Sequence, residues 1–180
     1  MDDLILIDLN IINDERGFFY EAYNFNKLKE LGISHTFLQD NCSRSLKAGT
    51  VRGLHCQTLP TPQAKLIRCS RGKIIDVAVD VRVGSRNFGK YAFFELSEDS
   101  ASMLYIPVGF LHGFITLVDN TEVIYKCSDV FDLSCDRSVA FNDPLFNINW
   151  PEFESDYIMS PKDCNAKKFH EQDIEFPFLG

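Results

Sequence analysis

The chain has 180 residues, 45 % of them apolar and 24 % charged, which suits a single domain, residues 1–180, with a real hydrophobic core. Its formal net charge of −8 argues against a nucleic-acid partner, whose footprint is a basic face, but leaves room for a few converging Arg and Lys to hold a small anion. The start Met1-Asp2-Asp3 is acidic where a secretory leader is basic, and no apolar run approaches the ~18 residues that span a bilayer, so a cytoplasmic protein with no membrane partner is expected.

Sixteen Phe and six Tyr against one Trp favour pleated, half-buried surfaces. In chain order, Leu4–Leu9 reads as a strand, and Asn26–Leu31 as a short helix ended by Gly32. Strands are then predicted over Thr36–Ser43, Thr50–Gln57 and Ala64–Cys69. Lys73–Arg82 is the clearest strand: Ile75, Val77, Val79 and Val81 share one face, while Asp76, Asp80 and Arg82 share the other and would line a polar cavity or meet solvent. Lys90–Leu96, Met103–Pro107, Phe114–Val118 and Glu122–Ser128 follow. Near the end, Ser160-Pro161-Lys162-Asp163 has the signature of a helix start, with Ser as N-cap and Pro next. So many short strands predict an all-β sandwich or barrel with a few short helices.

Cys42, Cys56, Cys69, Cys127, Cys135 and Cys164 form no C-x-x-C pair, so free thiols are expected rather than a structural zinc. Of the four histidines, His35, His55, His112 and His170, two sit among glycines: His55 in Arg52-Gly53-Leu54-His55, and His112 in Gly109-Phe110-Leu111-His112-Gly113. An iron site of two His and a carboxylate usually wants His-x-His on one strand, but Gln57 and Phe114 stand two residues on, so no metal is expected. Tyr125 is either a proton donor or a core tyrosine. Asp163 either fixes a histidine tautomer or caps a helix. Lys65 either neutralises an enolate oxygen or phosphate, or is a solvated lysine. Arg16, Arg52 and Lys162 either grip a diphosphate or are surface cations. In a regular strand Arg52 and His55 point to opposite faces, unless Gly53 allows a bulge.

The ordered motifs carry a resemblance over about Asp14 to Asp163. They are Asp14–Glu21, Gln39–Ser43, Arg52–Gln57, Gln63–Leu66, Asp76–Arg82, Ile106–Phe114, Tyr125-Lys126, Asn142-Asp143-Pro144, Trp150-Pro151 and Ser160–Asp163. Together they resemble the dTDP-4-dehydrorhamnose 3,5-epimerase family. The resemblance implies a cupin-type jelly-roll barrel and an isomerase that needs no cofactor. Its substrate would be a nucleotide-diphosphate 4-keto-6-deoxy sugar, and its usual state a homodimer with an exchanged N-terminal strand. It implies His55 as base, Asp163 as its carboxylate and Tyr125 as opposite-face donor, with Lys65 and His112 near the developing enolate. Arg16, Glu21, Gln39, Asn41, Arg52, Asp136 and Lys162 would hold the nucleotide and diphosphate, Arg16 and Glu21 serving a neighbouring subunit. Three positions depart from the family pattern: Phe131 replaces a common Tyr, Asp136 a Glu, and Cys56 an aromatic. The first leaves epimerisation at one carbon, or of another nucleotide sugar, as the alternative within the family. A 3,4-ketoisomerase is disfavoured by Gln57, a non-catalytic binding module by the intact His55, Tyr125 and Asp163, and a metal-dependent oxygenase by the missing His-x-His.

Overall fold

A computed structural model describes Met1 and residues 3–178. Two five-stranded antiparallel sheets face each other. In the first the order is β1 (Ile5–Asp8), β10 (Ser102–Ile106), β6 (Lys65–Arg71), β12 (Thr121–Cys127), β4 (Gln39–Ser45). In the second it is β13 (Asp136–Ser138), β5 (Val51–Gln57), β11 (Phe110–Thr116), β7 (Lys73–Asp80), β9 (Tyr91–Ser97). Two small pairs complete the β structure: a hairpin of β2 (Ile12–Asp14) and β3 (Gly17–Phe19), and β8 (Arg82–Val83) lying parallel to β14 (Phe176–Pro177). The helices are short, α1 (Phe25–Glu30) and α2 (Pro161–Cys164). The expected all-β jelly-roll barrel is what the chain forms.

Alternation explains the layering. On β7, Ile75, Val77 and Val79 face outward and, with Val81 just beyond, pack under the C-terminal segment against Phe146, Trp150, Ile174 and Phe176. Ile74 and Ala78 face inward against Ile67, Leu104 and Val123 of the opposite sheet. A third cluster sits outside the first sheet, where Leu28 of α1 covers Leu66, Met103 and Tyr105. Burying one such side chain contributes about 1.5–3 kcal/mol, so three clusters hold both sheets between covers. Asn24 caps α1 by accepting the Asn26 and Lys27 N–H groups, so the helix starts one residue before the predicted Asn26.

Predicted strand ends shift by one to four residues, among them the start of Thr36–Ser43, which falls at Gln39, and two of the shifts have a clear physical cause. The strand read as Phe114–Val118 runs over Phe110–Thr116, because Leu111 and His112 are as buried as Phe114 and Ile115, and so the alternation fades. The strand read to Arg82 breaks after Asp80. There Asp80 turns back on the chain and accepts hydrogen bonds from the Arg82 N–H, the Arg82 guanidinium and the Ser85 hydroxyl. The Asp76/Asp80/Arg82 face therefore divides: Asp76 lies inside the barrel beside the cavity described below, and Asp80–Arg82 forms a buried ion pair over Phe110. Burial resists ionisation of Asp80, but the bonds from Arg82 and Ser85 outweigh it and hold the carboxyl below its ordinary value. A lowered folded-state pKa stabilises above the unfolded value, and that contribution is lost as pH falls through the folded one. The thermal stability of the wild type relative to Asp80→Asn should therefore shrink as pH drops below about 4. Melting curves between pH 6 and pH 3 measure this, and a constant gap would refute it.

Candidate active site

A cavity of about 380 Å³ opens between the sheets and is lined by Arg52, His55, Lys65, His112, Tyr125, Lys162 and Asp163. That volume lies in the range of small-ligand sites. Seven of the twelve residues expected at the site meet here. Those expected to be catalytic, His55, Tyr125, Asp163 and Lys65, are all among them.

The local fold of β5 puts Arg52 and His55 on one wall. Along β11, His112 pairs with His55 and Phe114 with Arg52, so the single Gly113 faces the two residues Gly53 and Leu54. This bulge resets the alternation: Leu54 turns to the outer core, and Arg52 and His55 both turn inward. It needs glycine. Gly53 has φ +128°, and a Cβ there would stand 2.6 Å from the Gly113 Cα.

His55 Nε2 lies 2.6 Å from Asp163 Oδ1, across 108 residues of sequence. The carboxylate is delivered by α2, where the Asp163 N–H donates to the Ser160 hydroxyl and Pro161 occupies the first helical position, as the sequence predicts. Burial opposes ionisation of Asp163, but His55, the Ser160 hydrogen bond and the Lys162 charge outweigh it and set the carboxyl below its ordinary value. A carboxylate only accepts, so the proton of a neutral His55 sits on Nε2 and Nδ1 carries the lone pair.

A second pair is internal. His112 Nε2 lies 2.9 Å from Asp76 Oδ2, with Asp76 fully buried and its Oδ1 without a hydrogen-bond partner. Burial pulls the His112 pKa down; the Asp76 charge and hydrogen bond push against this, while the nearby Lys65 and His55 add to it. The net direction is downward from the ordinary histidine value. The sequence had set Asp76 on a polar face without linking it to His112.

Tyr125 stands on β12, across the cavity from β5. Burial raises its pKa, as does Cys127, against a smaller opposing pull from Arg52, so its phenol stays protonated near neutrality. Lys65, on the neighbouring β6, makes no ion pair among the described residues. Arg52 donates to the Ser45 hydroxyl and the Arg44 carbonyl. Lys162 pairs with Asp136 at 2.5 Å, which ties Asp136 to the rim without lining the cavity.

Four further expected residues lie elsewhere in this chain. Gln39 and Asn41 bond to each other on β4, and Asn41 also donates to the Cys127 Sγ. Arg16 is 85 % exposed at the hairpin tip, paired with Asp14, and Glu21 pairs with Lys27 of α1. Ser43 and Thr50 line the cavity and were not foreseen; the Ser43 hydroxyl is buried without a partner. The short polar side chains of β4 gave no signal beyond the motif that contains them. All six cysteines are free thiols. Among the described residues no three His, Cys, Asp or Glu side chains gather as a metal would require.

Known proteins resemble this chain along most of its length. The model of the dTDP-4-dehydrorhamnose 3,5-epimerase family matches residues 1–171. The Escherichia coli K12 protein named dTDP-4-dehydrorhamnose 3,5-epimerase is 42 % identical over 164 residues, covering 91 % of this chain and 88 % of its own. The crystal structure of a Legionella pneumophila dTDP-6-deoxy-D-glucose-3,5-epimerase in complex with dTDP-4-keto-L-rhamnose superposes with TM-score 0.92 at 41 % identity, covering 96 % of this chain and 91 % of that one. A 3'-monoepimerase from Streptomyces bikiniensis, in complex with dTDP-quinovose, gives TM-score 0.85 at 29 % identity over 92 % of this chain and 83 % of its own.

Proposed function

The chain belongs to the dTDP-4-dehydrorhamnose 3,5-epimerase family, and from that premise we propose that it epimerises a dTDP-linked 4-keto-6-deoxy sugar, with His55 removing the carbon-bound proton. The enzyme is an isomerase, and residues 1–180 act as one catalytic domain. The observation that carries this reading is the His55–Asp163 pair on one wall of the cavity, with a protonated Tyr125 on the other and the Lys65 ammonium beside it.

The ketone acidifies the hydrogens on its two neighbouring ring carbons. His55 Nδ1 takes one of them, and the carbon–hydrogen electron pair moves into the ring to form an enolate. Asp163 stabilises the imidazolium that results. Lys65 faces the oxygen on which charge develops. His112, its Nε2 bonded to Asp76, lines the same cavity, so Lys65 and His112 together stand near that oxygen. Tyr125 then returns a proton from the opposite face and inverts the centre. A positioned acid–base pair supplies about 10²–10⁴-fold, so stabilising the enolate must supply much of the remainder. Replacing Lys65 with Met should lower kcat by about 10–10³-fold with a smaller change in KM; steady-state rates with an unchanged kcat would remove Lys65 from the chemistry.

Arg52 and Lys162 are the cations placed to meet the diphosphate, and no hydride moves, so no nicotinamide is required. Arg16 and Glu21 are assigned to a neighbouring subunit in a homodimer. The exposed Ile12, Phe18 and Phe19 of the hairpin support this, since a second copy would cover them. Light scattering should give twice the chain mass, and a monomer that turns over normally would refute it. The reaction is assigned to the cytoplasm; among the described residues no helix is long and apolar enough to cross a membrane.

Proton NMR of dTDP-4-keto-6-deoxyglucose with the enzyme in deuterated water tests the reading. Deuterium at both carbons flanking the ketone, with inversion, is expected. Exchange at one carbon alone would favour the monoepimerase reading, which Phe131 at the place of a family tyrosine supports. In the same assay Tyr125→Phe should still exchange deuterium at one face while net epimerisation falls by about 10²-fold or more. Equal loss of exchange and inversion would deny Tyr125 the donor role.

A further inference from the structure

A clamp of side-chain amides stands next to the cavity-lining Lys65 and His55 along the strands, outside the acid–base machinery. Residues 128–135 leave the first sheet after Cys127 and reach the second at Asp136, crossing between them. The crossing starts beside Lys65, the register partner of Cys127, and ends beside Gln57, the register partner of Asp136, two residues beyond His55. Four successive residues of it are tied through their backbones by three glutamines. Gln63 Nε2 donates to the Asp129 carbonyl at 2.9 Å, and Gln57 Nε2 to the Val130 carbonyl at 3.0 Å. The Phe131 N–H donates to Gln39 Oε1 at 2.7 Å, and the Asp132 N–H to Gln57 Oε1 at 2.9 Å. Gln57 also donates to the Thr61 carbonyl and is 4 % exposed, so its whole amide is committed within the protein.

The clamp carries side chains that are only partly buried. Val130, Phe131 and Leu133 are all more than half exposed. Between the ends held at Ser128 and the buried Cys135, the glutamine amides supply the ties of residues 129–132 to the rest of the fold. A loop ordered in advance loses little further entropy when a ligand packs on it, so such ordering strengthens binding.

We propose that Gln57 is a positioning residue that fixes the 129–132 loop as the cavity rim on the Lys65 side. The rim governs how tightly the nucleotide sugar is held, and not how fast the proton moves. This rests on the epimerase reading above. Gln57→Glu tests it with little change of shape: a carboxylate oxygen then faces the Thr61 and Val130 carbonyls in place of an N–H donor. Gln63→Ala removes one tie from the other side of the loop. In Gln57→Glu, KM should rise about three- to tenfold, the equivalent of one hydrogen bond. Its kcat, and deuterium exchange at saturating substrate, should stay within about twofold. Gln63→Ala should move KM in the same direction by less. An unchanged KM in folded Gln57→Glu, or a fall in kcat at constant KM, overturns the proposal. Should Gln57→Glu fail to fold, an unchanged KM in Gln63→Ala overturns it. A wild-type protein that exchanges no deuterium would sink the epimerase reading itself, whereas an active wild type with KM-neutral variants sinks only the rim.

Discussion

His55→Asn is expected to lower kcat by about 10²–10⁴-fold while leaving KM within a few-fold of wild type. The substitution keeps a planar polar side chain in the cavity and an N–H for Asp163, but an amide cannot accept a proton near neutrality. Deuterium uptake at the carbons flanking the ketone should fall in step with turnover, since removing that proton is the step lost. The side chain is about a third exposed and packs in no core cluster, so the melting temperature should move little. Exchange at the wild-type rate would eliminate His55 as the base. Asp163→Asn should reduce kcat in the same sense, because the buried carboxylate both orients the imidazole and balances its charge after proton transfer.

Gly53→Ala should have the largest effect on folding. The added methyl would lie 2.6 Å from the Gly113 Cα and 2.9 Å from the His112 carbonyl oxygen, both backbone, at φ +128°. Overpacking and a disfavoured backbone each cost about 1–3 kcal/mol, so a loss of about 2–6 kcal/mol is expected, a large part of a domain's stability. Urea unfolding gives the value directly, and a loss under about 1 kcal/mol would show that the strands part easily there. Protein that does fold should also be impaired in turnover, because the same bulge turns both Arg52 and His55 into the cavity.

Much of this arrangement was legible in the sequence, for reasons that differ by residue. The Ile75/Val77/Val79 alternation marked β7 because its outer face meets a core, and the Ser160-Pro161 pair marked α2 because capping chemistry is local. The start of β11 was missed because that strand is buried on both faces, which erases the period-two signal. The break after Asp80 was missed because a side chain that folds back on its own backbone depends on tertiary burial. At the site, the histidines stood out by their glycine neighbours, and the ordered motifs supplied their partners. Gly53 raised the prospect of a bulge, and the register shows it. The Asp76–His112 pair was not readable, since a diagonal contact between neighbouring strands leaves no mark on either segment. Arg16, Glu21, Gln39 and Asn41 stand outside this chain's cavity, bonded to other side chains, which a motif match cannot anticipate.

The span of 108 residues between His55 and Asp163 has a consequence for how the enzyme comes into being. Both large sheets are complete in sequence by Ser138, so the segment after it, which covers the outer face of the second sheet, is the last part of the chain to leave the ribosome. The chain up to that point holds His55, Lys65 and Tyr125 but not the carboxylate. Competence for catalysis arrives only when the segment after Ser138 docks, Ile158 bridging to Thr50 and Phe176 to Arg82, and brings Asp163 in from outside. Completion of the site is thus tied to completion of the outer core, since a chain clipped before Asp163 would lack the carboxylate and also leave Val77 and Val79 without the cover of Ile174 and Phe176.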